Sequence, residues 1–328
     1  MSAPLHTKVL IIGSGPAGYT AAIYAARANL EPLQLLGREP GGQLTITTDV
    51  ENYPGFAKAI QGPWLVEQMK AQAEAVGTKM ISDMVTDVDF GQRPFRITGE
   101  SGALYTADSV IICTGAKARW LGLESEKKFM NMGVSACATC DGFFFKGKDV
   151  AVIGGGNSAV EEALFLAQIC KKVTLVHRRD ELRAERIMQE RLFAKDNIEV
   201  LWDSTLKEVL GIEPGKTKEG EIPGVTGMRV ENVKTGETRD IPLEGIFVAI
   251  GHDPATELFK GKLEMDKAGY LITAPDSTAT DIPGVYAAGD VKDKEYRQAV
   301  TAAGMGCMAA LEADRFLAAQ ESTSQAAE

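Results

Sequence analysis

Histidine and cysteine are sparse in this 328-residue chain. There are three histidines (His6, His177 and His252) and five cysteines (Cys113, Cys137, Cys140, Cys170 and Cys307). Two of the cysteines form a Cys-x-x-Cys at 137–140, which is also metal-ligand spacing. The second close pair that a zinc site needs is missing, so no metal is expected. Positive charge is in deficit, with 35 Lys and Arg against 45 Asp and Glu, a net charge of -10. That balance argues against nucleic acid or an anionic membrane as a partner, because the phosphate attraction would be reversed. No apolar run approaches the ~20 residues of a spanning helix. No charged-apolar-small pattern precedes the apolar run that begins at Val9, so no secretory leader is expected and the cytoplasm is the default. Thiols are kept reduced there, which favours a catalytic Cys-x-x-Cys over a structural one.

Glycine is plentiful, with 34 residues, most of them at turns between apolar strands and helices. Lys8 to Ile12 reads as a parallel strand buried on both faces. It runs into Gly13-Ser14-Gly15-Pro16-Ala17-Gly18 and then an alanine-rich helix. This is a dinucleotide turn: Gly13 permits the tight bend, Gly15 lets a pyrophosphate approach, and Gly18 allows helix and strand to pack closely. The acidic residue expected at the end of the second strand is absent, because Leu33-Gln34-Leu35-Leu36-Gly37 fills that place. Glu39, slightly beyond, is a candidate for the ribose contact.

Gly41-Gly42-Gln43-Leu44 and the polar loop 49–55 follow, then a helix from Pro63 to about Val76. Phe95 to Thr98 and Leu104 to Ala107 predict a hairpin that crosses over to a strand at 109–113, ending in Thr114-Gly115. A second strand begins near Lys148 and enters Gly154-Gly155-Gly156-Asn157-Ser158-Ala159, a Gly-x-Gly-x-x-Ala turn. The next strand delivers His177-Arg178-Arg179, with Arg183 further on. An acid there would hold an NAD ribose, whereas arginine forks bind a 2′-phosphate, so NADPH is expected. Residues 198–241 read as strands and turns, 246–250 as a buried strand, and 284–290 as a strand closing on Gly289-Asp290. A long helix is expected from about Arg297, with a frayed tail after Gln320. Cys113, Cys170 and Cys307 read as small packing residues, and His252 as a loop histidine.

The stretch Ser135 to Phe144 holds the two close thiols and a carboxylate, Asp141, directly after the second. A ring that small opens and closes without rearranging a fold, which suits a redox couple. Two dinucleotide turns around such a pair, with a terminal Gly-Asp, resemble the flavin-dependent pyridine-nucleotide disulfide reductases. The motifs at 135–144, 154–159 and 177–183, together with Asp290 and Tyr296 to Ala299, resemble more closely the low-molecular-weight thioredoxin reductases, over almost the full length.

That resemblance implies an α/β fold of two Rossmann-like dinucleotide-binding domains. An NADPH domain (117–246) carrying Cys137 and Cys140 is inserted into a discontinuous FAD domain (1–116 and 247–328). It implies FAD contacts from Gly13, Ser14, Gly15, Pro16, Ala17, Gly18, Gly37, Gly41, Gly42, Gln43, Leu44, Asn52, Thr114, Gly115, Gly289, Asp290, Arg297, Gln298 and Ala299. NADPH contacts are implied from Gly154, Gly156, Asn157, Ser158, Ala159, His177, Arg178, Arg179 and Arg183. It also implies that Cys140 faces the flavin, Cys137 attacks the disulfide of thioredoxin, Asp141 moves the proton, and the protein is a homodimer. Rotation of the NADPH domain about connections near 116–119 and 243–245 is expected with it.

Three competing functions share the core. The hydroperoxide-reductase flavoproteins are longer, with an N-terminal dithiol domain, whereas this chain begins almost at the first strand. A thiol oxidase has no need of the arginine cluster. In a non-catalytic redox sensor the cysteines would report rather than turn over. NADPH consumption with oxidised thioredoxin separates all of these.

Overall fold

The computed structural model describes residues 3–38, 40–47, 49–218 and 222–327, with the backbone alone at 323–327. Glu39, the candidate ribose contact, lies outside the described residues. The chain forms two compact units, one from 1–117 and 253–328 and the other from 118–252.

The first unit is built on a mostly parallel sheet. In spatial order its strands are Lys79–Ile81, Leu33–Leu35, Leu5–Ile12, Leu104–Ile112, Phe95–Gly99 and Val85–Asp89, with Val285–Ala287 also on Leu104–Ile112. Leu5–Ile12 is parallel to both neighbours, pairing Ile12 with Leu35 and with Ile112. The expected crossover after the hairpin does not occur. Leu104–Ile112 is one strand that pairs Ala107 antiparallel with Phe95 and continues parallel to Leu5–Ile12. The burial of nearly all its residues removes any reason for a break.

The helices Pro16–Arg27 and Ala299–Ala327 bring Ala21, Ala22, Ala25, Ala309, Ala310 and Ala313 into one core cluster. Small side chains let the helices approach closely: a Cβ on Gly306 would stand 2.2 Å from the Ala17 carbonyl oxygen. The last helix differs from expectation at both ends. It starts at Ala299, because Arg297 has φ +48°, and it runs past Gln320 to Ala327. Ala and Gln in that tail are good helix formers.

The second unit has a five-stranded parallel sheet in the order Val134–Ser135, Gly245–Val248, Asp149–Ile153, Lys172–Val176, Ile198–Leu201. A three-stranded antiparallel sheet of Ser204–Ile212, Gly224–Asn232 and Thr238–Pro242 belongs to the same unit. The helices Asn157–Leu166 and Arg186–Phe193 share a core with the parallel sheet through Val152, Leu175, Leu166 and Leu192.

The expected boundary at 246/247 falls too early. Gly245–Val248 is hydrogen-bonded within the second unit's sheet, pairing Phe247 with Val152 and Ser135. The chain crosses between units at 117/118 and 252/253. Leu243 is buried and Glu244 N donates to Asp149 O, so the expected pivot at 243–245 is interior to this unit.

Candidate functional site

The dithiol sits where the short strand Val134–Ser135 ends. Its pairing to Ile246 and Phe247 fixes the departure point of the chain. A single helical turn, Ala138–Asp141, follows, in which Asp141 N donates to Cys137 O at 3.1 Å. One turn brings the two cysteine Cα atoms to 5.3 Å, and Cys137 and Cys140 are joined as a disulfide. That separation is ordinary for a disulfide, so the ring forms without moving the fold.

The segment is clipped to its own unit by tight contacts. A Cβ on Gly142 would meet Leu166 at 3.0 Å, and one on Gly245 would meet the Phe145 ring at 2.6 Å. Phe145 also packs edge-on against Phe247, with ring centroids 5.4 Å apart. Ser135, not singled out in the sequence, lies at the centre. Its Oγ accepts from Cys137 N at 3.0 Å and donates to Asp141 Oδ2 at 2.5 Å. Burial raises the Asp141 carboxyl above its ordinary value, and the Ser135 hydrogen bond partly opposes the rise.

The second glycine turn lies on the same unit. A Cβ on Gly154 would stand 2.4 Å from Ala249 O and 2.7 Å from the Ala159 Cβ, which is why the third position tolerates nothing larger than alanine. Gly156 faces open space at the start of the helix Asn157–Leu166, where a phosphate can meet free amides. Asn157 is exposed, and its Oδ1 accepts from Glu185 N at 2.8 Å. The basic loop is thereby tied to the turn, as is also done by Arg183 N donating to Gly155 O at 2.7 Å. Arg178, Arg179 and Arg183 are exposed, and among the described residues none has a carboxylate partner. His177 differs from expectation. It is buried, its ring lying beneath Gly155, so it supports the turn rather than joining the exposed arginines.

In the first unit, most of the implied contacts converge. A Cβ on Gly13 would stand 2.2 Å from Cys113 O and one on Gly18 2.3 Å from Gly13 O, while Gly15 faces open space. Ser14 Oγ donates to Leu36 O at 2.7 Å and accepts from Gly41 N at 3.2 Å, joining the turn to Gly41–Leu44. Leu44 is buried, and Gly42 approaches the Gly15 Cα. Gly37, at φ +76°, donates its N–H to Asp83 O. Thr114 Oγ1 donates to Ala255 O, and Gly115 O accepts from Ala255 N. Asn52 Nδ2 donates to Gln298 Oε1 at 3.3 Å, just ahead of Ala299.

Gly289 brings the chain against Ala17, placing Asp290 near the first turn. Burial, aided by the like charge of Asp293, raises the Asp290 carboxyl to about 7, with Arg297 opposing. Two supporting residues gave no sequence signal. Gln34, fully buried, donates from Nε2 to Gly13 O at 2.9 Å. Asp293 accepts from the backbone N–H groups of Glu295, Tyr296 and Arg297 and thereby shapes the loop. Only a motif-independent search for buried polar residues would have found them.

A fold of two glycine-turn α/β units, one carrying a closed Cys-x-x-Cys, defines a class. Residues 7–306 match the family model described as pyridine nucleotide-disulphide oxidoreductase. A thioredoxin reductase of Rickettsia bellii is 61% identical over 95% of this chain and 99% of its own length. One from Coxiella burnetii is 54% identical over 97% and 98%. Among solved structures, the thioredoxin reductase of Giardia duodenalis superposes with a TM-score of 0.90 at 44% identity, covering 96% of this chain and 99% of that one. That of Streptococcus pyogenes gives 0.88 at 42% identity, covering 97% and 100%. The chain belongs to the pyridine nucleotide-disulphide oxidoreductases and, within them, to the thioredoxin reductase family.

Proposed function

We propose that the protein uses NADPH to reduce the disulfide of thioredoxin, through FAD and the Cys137–Cys140 couple. The observation that carries this is the closed Cys137–Cys140 ring beside a carboxyl that burial raises above its ordinary value, on the same unit as a glycine turn backed by exposed arginines. The first unit is the FAD domain: the cradle open at Gly15 suits a pyrophosphate, and the charge of Arg297 does not offset the burial and like charge that raise Asp290. Protonated, it donates a hydrogen bond; ionised, it accepts one, and a polyhydroxyl chain satisfies either state. A cleft of about 570 Å³ lined by Gly37, Arg38, Pro40, Ser82 and Ser101 takes the adenosine end. The second unit is the NADPH domain, with the 2′-phosphate held by Arg178, Arg179 and Arg183.

FAD, when bound, supplies the conversion of a hydride into the two electrons that a disulfide accepts. The chain's own residues do the rest. Cys137, as thiolate, attacks the disulfide of thioredoxin and forms a mixed disulfide. Cys140 then attacks Cys137, closes the 137–140 ring and releases the partner as a dithiol. Asp141 gives and takes the proton at the ring. The working form is a cytoplasmic homodimer. Following NADPH absorbance with oxidised thioredoxin tests the proposal: turnover dependent on both cysteines is expected, and NADPH consumption indifferent to thioredoxin would reject it.

A further inference from the structure

In each turnover Asp141 must exist both with and without its proton, yet it is half-buried. A buried carboxylate needs a donor, whereas a buried carboxylic acid needs an acceptor. Most side chains supply one or the other. A hydroxyl supplies both, provided its own hydrogen has somewhere else to go.

Ser135 meets that condition. With Asp141 ionised, the hydroxyl hydrogen lies on Asp141 Oδ2 at 2.5 Å. With Asp141 protonated, the carboxyl donates to Ser135 Oγ, and the hydroxyl hydrogen turns to Cys137 O, 3.4 Å away. In both arrangements Ser135 Oγ still has a lone pair for Cys137 N, at 3.0 Å. The residue is buried and its strand is fixed by pairing to Phe247, so the hydroxyl has no freedom to wander. The helix Asn157–Leu166, packed over Gly142, presents Leu166 and Phe165 there. Among the described residues, neither of its carboxylates, Glu161 and Glu162, nor any other charged side chain shifts Asp141. Ser135 is therefore its polar partner.

We propose that Ser135 is a positioning residue for the dithiol chemistry: its reversible hydroxyl holds Asp141 against the ring in both protonation states and fixes Cys137 through the backbone N–H. This rests on the proton role assigned to Asp141 above, and the test separates the two.

The measurement is reduction of the Cys137–Cys140 disulfide in the full-length protein by dithiothreitol, which requires neither NADPH nor thioredoxin. One dithiothreitol thiolate attacks a ring sulfur and the S–S bond breaks. The departing cysteine sulfur carries the electron pair and takes its proton from Asp141, which is reprotonated by water. The second dithiothreitol thiol then closes on the first and releases the other cysteine. Both electrons thus come from dithiothreitol. Ser135→Ala should slow the reaction roughly tenfold, less than a positioned acid usually contributes because a thiolate is already a good leaving group.

Asp141→Asn should slow it at least as much, and Ser135→Ala should cost much less in the Asp141→Asn background, where only its hold on Cys137 N is left to lose. Ser135→Thr, which keeps the hydroxyl, should stay within about threefold of wild type, a difference of about 0.65 kcal/mol from RT ln 3. The pH midpoint of the rate should move upward in Ser135→Ala, because a donor to the carboxylate has been lost. Slow Asp141→Asn with wild-type Ser135→Ala would overturn the role of Ser135 alone, as would a Ser135→Thr variant as slow as the alanine. A wild-type rate in Asp141→Asn would overturn the proton role and the Ser135 proposal with it.

Discussion

Gly155 and His177 compete for one space: a Cβ added to Gly155 would stand 2.1 Å from His177 Nδ1. The middle glycine of the second turn is therefore dictated by a buried side chain below it, not by the ligand above it. Any residue other than glycine must expel the imidazole. Gly155→Ala should lower the melting temperature and weaken NADPH binding together, whereas His177→Ala with Gly155→Ala should recover part of both. Calorimetry with NADPH titration reads the two, and a fully stable Gly155→Ala single variant would show that the turn has slack.

The same histidine gives a pH dependence with a definite sign. Burial lowers its basicity below the ordinary 6.5, and the charges of Arg183 and Arg179 add to the effect, against two backbone hydrogen bonds. Below pH 6.5 the unfolded chain binds a proton that the folded state refuses. Stability should therefore fall as pH drops through that range, until the folded histidine also titrates. Thermal melts from pH 7.5 to 5 should show a shallower decline in His177→Gln than in wild type. Parallel curves would mean that this imidazole does not set the slope.

The exposed arginines predict coenzyme preference. A charge-assisted hydrogen bond contributes on the order of 1.5–3 kcal/mol, so two of them account for roughly 10²–10⁴ in preference for NADPH over NADH. Arg178→Ala with Arg179→Ala should raise KM for NADPH and leave NADH use nearly unchanged. A parallel loss with both coenzymes would make the pair structural.

The cysteines should fail differently. Without Cys140, the mixed disulfide between Cys137 and thioredoxin has no internal nucleophile to resolve it. Cys140→Ser, reduced and then mixed with oxidised thioredoxin, should give a covalent complex on a non-reducing gel. Cys137→Ser should give little. Equal trapping by both variants would reverse or cancel the division of labour.

The glycine turns, the dithiol and the basic loop were legible because each is a local pattern with a local cause. A tight bend, a three-residue spacing or a strand end is written in neighbouring residues. What was not legible depends on partners far along the chain. Ser135 is an ordinary strand serine until Asp141 folds back onto it, and Gln34 stands where an acid was sought because Gly13 O lies beside it. The boundary near 246 misled for the same reason: Gly245–Val248 reads as any buried strand, and only its pairing with Val150 to Ile153 assigns it to a unit. His177 looked like part of a cationic cluster because sequence gives adjacency and not direction.

Asp290 and Asp293 give a pH dependence opposite to that of His177. Burial and the neighbouring Asp293 carboxylate raise Asp290 to about 7, against the opposing charge of Arg297. An unfolded aspartate titrates near 3.9, so between about pH 4 and 7 the folded flavin-free protein holds a proton that the unfolded chain has released. Stability from this group is thus fully present below about pH 4 and is lost as pH rises through 7. Asp290→Asn, neutral throughout, should remove that loss and melt higher than wild type at pH 7.5 when both are stripped of flavin. At pH 4.5 the two should melt nearly alike. Asp293→Asn should shift the wild-type decline to lower pH by removing the like charge. It should also loosen 295–297, because its carboxylate accepts three backbone N–H groups there. The decline belongs to this pair only if Asp290→Asn abolishes it while His177→Gln leaves it in place. A flavin-free Asp290→Asn protein that tracks wild type from pH 4.5 to 7.5 would show that Asp290 stays ionised, and the carboxylate would then meet its ligand only as an acceptor.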